Sequence, residues 1–187
     1  MNIETQEQAD RIFPLNEYYG RRGLVLPRIE AVAAELVPAP YRVLLVHEGD
    51  MTLRLQRFHN QAIGLRVLEH HSTLQALTRT VVLIREGDGR VVEFGSIRIV
   101  FAPFPPEAQQ EIALCRRPLG TILRGLHLGH FSKPLAFIRV WSDAHVGQLL
   151  GVPAGVPLYG RCNELFDRFR QRLAQVVEIL PPESDAH

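Results

Sequence analysis

The sequence predicts an α+β fold: an antiparallel sheet of about six strands with helices packed on one face. Two observations predict it. Strands come as neighbouring pairs, Ala76 to Ile84 with Arg90 to Phe101 and Leu158 to Phe166 with Arg172 to Leu180, as hairpins do. The helical segments are grouped between these pairs instead of alternating with single strands, which points away from a parallel sheet.

The elements follow in order. Residues 1–27 are punctuated by Pro14, Gly20, Gly23 and Pro27 and read as a loosely attached arm. Arg28 to Val37 spaces Ile29, Val32, Ala33, Leu36 and Val37 as a helical stripe, which Pro38 and Pro40 end. Tyr41 to Val46 is a short apolar run. Asp50 is an N-cap type residue in front of a helix reaching His59. Ala62 to Leu68 alternates as a strand. Ala76 to Ile84 is rich in Thr, Val, Leu and Ile, and Asp88-Gly89 is a hairpin turn signal before the returning strand. Pro105 to Cys115 predicts a helix, Pro118 to Leu123 the start of another, and Leu135 to Trp141 a strand.

Composition narrows the classes of function. The 187 residues suit a single domain, with 1–40 as arm and helix. Apolar residues make up 46%, enough for a core, and the net charge of +1 argues against a nucleic-acid footprint. No apolar run reaches the length of a membrane span, and no signal-peptide core opens the chain, so a soluble, cytoplasmic protein without a membrane partner is expected. Cys115 and Cys162 fit either a reduced protein or one disulfide. His127 with His130, and His70 beside His71, have no zinc-type spacing with cysteines or carboxylates, so neither a metal nor another cofactor is expected.

The candidate chemistry lies in strands. Glu178 interrupts the apolar run Val176 to Leu180 and shares a face with Val176 and Leu180. A buried acid needs a cation or a donor, or it takes up a proton. Arg79 shares a face with Val81 and Leu83 and is its first candidate partner. The pair reads either as a structural ion pair or as a polar floor for a ligand carboxylate. The helix starts at Asp50-Met51-Thr52 and Pro118-Leu119-Gly120 offer free backbone N–H groups. Gly95 inside a strand marks a bulge or a close approach. Ser96 and Arg98 share the opposite face of that strand. Arg161 and Asn163 serve either a site or the start of their strand.

In this order the segments Asp50-Met51-Thr52, Leu77-Thr78-Arg79, Phe94-Gly95, Pro118-Leu119-Gly120, Gly160-Arg161 and Val177-Glu178-Ile179-Leu180-Pro181 resemble the chorismate lyase family over about residues 42–181. The resemblance implies an antiparallel sheet with helices on one face. It also implies a cofactor-independent carbon–oxygen lyase that converts chorismate to 4-hydroxybenzoate and pyruvate. Arg79 and Glu178 would then be catalytic. Met51 and Leu119, through their backbone N–H groups, would bind substrate together with Arg79 at the ring carboxylate and Glu178 at the ring hydroxyl. Gly95, Arg98 and Arg161 are further candidates. Ser96 stands where the family carries an arginine, and Arg98 is its candidate replacement.

The same fold serves as an effector domain in transcription regulators, so two further readings stand beside the lyase. One is a non-catalytic domain that binds an aromatic acid. The other is a lyase acting on a relative of chorismate. The expected partner throughout is a small aromatic or cyclohexadiene carboxylic acid. The lack of any helix-turn-helix segment favours the enzyme at this stage.

Overall fold

The structure, a computed structural model, describes residues 10–183. Seven strands form one sheet in the order β1-β5-β6-β7-β4-β3-β2, every neighbour antiparallel. They are β1 (Ile29–Val32), β2 (Ile63–Ser72), β3 (Ala76–Arg85), β4 (Val91–Val100), β5 (His130–Trp141), β6 (Pro157–Asp167) and β7 (Arg172–Leu180). The α+β class is as expected, with seven strands where about six were predicted and helices on both faces where one was predicted.

Helices cover both faces. On one lie α2 (Tyr41–Leu45), α3 (Met51–His59), α4 (Pro106–Ala113) and α5 (Leu119–Gly125). On the other lie α1 (Leu15–Arg21) and α6 (Ala144–Leu150), which pack Tyr18, Tyr19 and Val146 against Phe94, Ile138 and Ile179. The first eight residues of β3 are all buried because both of its faces are covered. Among the described residues no helix is long and apolar enough to cross a membrane.

Several expectations need correction. The N-terminal segment is not loose where it is described: Leu15, Tyr18 and Tyr19 are fully buried, since aromatic area of this size is strongly driven out of water. The expected arm's residues 1–9 lie outside the described residues. The helix expected over 28–37 is instead β1 followed by a 3-10 turn, Ala34–Leu36. Ile29 to Val32 pair with Phe137 to Val140 of β5, so an open sheet edge outweighs a short helical stripe. The helix α6, capped by the Asp143 side chain on the Val146 N–H, was not foreseen. Cys115 and Cys162 are free and belong to core clusters on opposite sides of the sheet.

The remaining elements follow their local signals. The Asp50 side chain accepts from the Leu53 N–H at 3.0 Å and caps α3. Strand alternation then sorts the central residues. Arg79, Val81 and Leu83 of β3 face α3 and α5, as do Glu93, Gly95 and Ile97 of β4 and Val176, Glu178 and Leu180 of β7. Thr80 and Ser96 face the other way, where their hydroxyls meet at 3.0 Å.

The β6–β7 contact is unusually close at Gly160, where an added Cβ would collide with the Glu178 carbonyl. Gly160→Ala should therefore separate the two strands and destabilise the fold by about 2 kcal/mol, the scale of an overpacked core. A thermal melt that leaves the midpoint unchanged would refute this.

Candidate functional site

A cavity lies between the sheet and the first turns of α3 and α5, at the boundary of two apolar clusters. Its walls are mainly aliphatic, with Leu65, Val81, Leu83, Ile97 and Val176 from the sheet. Met51 and Leu119 close it from the helices. Six of the seven residues singled out in the sequence line it: Met51, Arg79, Gly95, Leu119, Arg161 and Glu178.

Arg98 does not. It projects from the opposite face of β4, beside Thr78 and above the Phe13 ring, 5.7 Å from its centroid. Strand alternation forbids it from replacing a side chain at the cavity, and Ser96 is turned away with it.

The expected partnership of Arg79 with Glu178 is also not what forms. Glu178 instead meets Arg161, its cross-strand neighbour, with Nε donating to Oε2 at 2.5 Å. Arg161 is 1% exposed, and its Nη1 also donates to the carbonyls of Leu45 and His47 at 3.2 and 2.9 Å. Directly opposed residues on paired strands lie nearest each other, so register chose the partner.

Arg79 is left largely without a partner. It is 2% exposed and donates from Nη2 to the Arg117 carbonyl at 3.1 Å. Its Nε and Nη1 are buried with no hydrogen bond. Burial pulls this guanidinium below its ordinary pKa, and the neighbouring Cys115 thiol opposes that shift. A buried cation with two unbonded donors is costly.

Glu93 was not singled out from the sequence. It lines the same cavity, 4% exposed, with Oε2 buried and unbonded. Burial first, and then the charge of Glu178, raise its pKa well above the ordinary carboxylate value, with Arg161 opposing. The signal was present: an acid inside an apolar strand, in phase with Gly95. Asn163, also on the cavity wall, keeps a buried Oδ1 without a donor.

The loop before α3 frames the mouth. Arg124 of α5 binds the Asp50 carboxylate, which joins the two helix starts. The Ser132 hydroxyl holds the Gly49 carbonyl at 3.3 Å. His47 Nδ1 accepts from the Gly49 N–H at 3.0 Å and Nε2 meets the Leu44 carbonyl at 2.7 Å, which suits a neutral ring. Burial, followed by the charges of Arg161 and Arg54, holds its pKa down to about 4. Among the described residues no group of three or more His, Cys, Asp and Glu is placed to hold a metal ion.

No family model matches this chain, and neither does any curated protein sequence. Solved structures do match. At 16% identity or less, the likeness to them is one of fold. The effector domain of PhnF from Mycobacterium smegmatis aligns with a TM-score of 0.54 at 16% identity, over 71% of this chain and 88% of that one. The longer PhnF structure gives 0.54 at 15% identity over 73% of this chain. The possible transcriptional regulator YydK from Bacillus subtilis subsp. subtilis gives 0.50 at 13% over 67% of this chain. The present chain spans 65% of that longer PhnF chain and 63% of YydK.

These matches correct the expectation of a carbon–oxygen lyase. The fold that the chain shares is that of the PhnF effector domain. Glu178 lines the cavity, with its Oε2 tied to Arg161.

Two outcomes test this description. Arg161→Met leaves Glu178 buried without its cation and should cost about 3–5 kcal/mol of stability, while the double change with Glu178→Gln should recover part of it. A denaturant titration with no coupling between the two sites would dissolve the pair. Stability should also fall as pH drops from about 6.5 toward 4, because the unfolded chain then protonates His47 while the folded chain does not. Glu93 acts in the opposite sense over this range, so the loss is read as the difference between wild type and His47→Gln. Parallel melting curves across that window would contradict the assignment.

Proposed function

We propose that this chain is a non-catalytic, effector-sensing domain that binds a small carboxylic acid with an apolar body. The observation that carries the reading is Arg79: a buried guanidinium with two unbonded donors at the end of an aliphatic cavity. A carboxylate offers two oxygens in the plane that a guanidinium fork requires, and it supplies the missing charge.

The other candidate residues take supporting roles. Met51 and Leu119 are the first residues of α3 and α5, so their backbone N–H groups have no acceptor within the helix and are free for a ligand oxygen. Gly95 keeps the floor of the cavity open. Arg161 and Glu178 neutralise each other and stiffen that floor. The aliphatic walls suit a ring or a short hydrocarbon chain, and the described residues act as one binding module. Effector-domain architecture supports the same role, and a signal passing from the cavity to a partner segment belongs to this proposal as well.

Differential scanning calorimetry with benzoate and 4-hydroxybenzoate tests the reading. An acid present at one hundred times its dissociation constant should stabilise the wild type by about 2.7 kcal/mol. Arg79→Met should abolish that shift and should stabilise the free protein by about 1–3 kcal/mol, because it removes a buried charge that has no partner. Incubation with chorismate should give no pyruvate above the spontaneous rate. If Arg79→Met binds the acids as wild type does, the site has been placed wrongly.

A further inference from the structure

Within that carboxylate-binding reading, Glu93 is the group the site leaves unexplained. It stands on β4 in register with Leu83 of β3, and its row continues through Leu180 of β7. Neither neighbour offers it a hydrogen bond. Oε1 lies where a side chain at Gly95 would begin, 2.9 Å from the position of an added Cβ, so the glycine makes room for the carboxyl to lie along the cavity floor. Oε2 is buried and unbonded.

The charged groups around it make their hydrogen bonds to other partners, and none is given to Glu93. Arg161 on β6 gives Nε to Glu178 on β7 and Nη1 to two carbonyls. Asp50, at the start of α3, is bound by Arg124. Glu93 therefore has no cation of its own, and burial beside Glu178 favours its protonated form. A carboxyl in that state accepts a hydrogen bond from a neutral donor. It can also release its proton to face a cation.

We infer that the acid held by Arg79 carries a hydrogen-bond donor, a hydroxyl or an amine, at the end remote from its carboxylate, and that Glu93 is the residue that reads this donor. Arg79 lies opposite Ile97, four residues along β4 from Glu93. At 3.3 Å per residue their rows are about 13 Å apart, and the Glu93 carboxyl, lying over Gly95, takes up about half of that distance. A ligand that reaches both is elongated, with its two polar groups at opposite ends. Glu178 stays with Arg161, so of the two carboxyls at the cavity Glu93 is the one left to read the donor.

Calorimetric titration of the whole chain tests this with benzoate, 2-hydroxybenzoate, 4-hydroxybenzoate, 4-aminobenzoate and 4-(aminomethyl)benzoate. The para-substituted acids should bind wild type about tenfold or more tightly than benzoate and 2-hydroxybenzoate, the scale of one hydrogen bond to a buried polar group. Preference within the para series separates a neutral donor from a cationic one. Glu93→Leu should keep benzoate binding and bring the whole series to within about twofold. Its free form should melt above wild type, since a buried carboxyl without a partner has been removed.

Equal wild-type affinity for all five acids would overturn the inference. So would a para preference that survives Glu93→Leu. A lower melting point for free Glu93→Leu would make Glu93 a structural counter-charge for Arg161 and would also overturn it. If not even benzoate binds wild type, the carboxylate reading of Arg79 fails first and removes this one with it.

Discussion

The buried contact between Arg161 and Glu178 is what the site is built upon. It joins β6 to β7 at the floor of the cavity and reaches up to the carbonyls of Leu45 and His47. One side chain thus ties the sheet to the loop that delivers α3. Removing either partner would strand a charge in a dry interior, where its cost is several kcal/mol. Asp50 with Arg124, and Ser132 with Gly49, complete the frame by holding α3 to α5 and to β5. The first turns of α3 and α5 stand where they do because these polar ties converge on a single loop.

Arg79 is the opposite case. Its charge is as deeply buried as that of Arg161, yet its neighbours are one carbonyl and the Cys115 thiol, with no carboxylate bound to it. Such a residue lowers the stability of the free fold, and stability of this kind is commonly surrendered at functional sites. Of two guanidinium groups of nearly equal burial, Arg161 makes three hydrogen bonds and Arg79 one. The same contrast holds for the acids, with Glu178 engaged and Glu93 idle. Pairing on one side of the floor leaves one unmatched group of each sign.

The tie between sheet and helix loop also bears on how such a domain could report its ligand. An anion entering beside Arg79 would meet the starts of α3 and α5, the elements that Arg161, Asp50 and Arg124 connect to the sheet. Ligand binding can shift a conformational equilibrium only through contacts that differ between states.

Much of this was legible in the residues themselves. The turn at Asp88-Gly89, the cap at Asp50 and the β-branched runs of β3 and β7 act locally, so the hairpins, α3 and the α+β class could be read directly. Alternation within each strand also grouped Arg79 and Glu178 with apolar residues of one face, and the same rule would have found Glu93. The short stripe at 28–37 was misread because an edge of the sheet, formed by residues a hundred positions later, competes for it. Partner choice was beyond the sequence for a related reason. Whether Glu178 meets Arg79 or Arg161 depends on which strands lie side by side and in what register, and that is settled only when β7 packs between β4 and β6. The sequence by itself determined which groups would be buried. The tertiary structure alone decided which would be paired, because burial is a property of a strand's own pattern and pairing is a property of its neighbours.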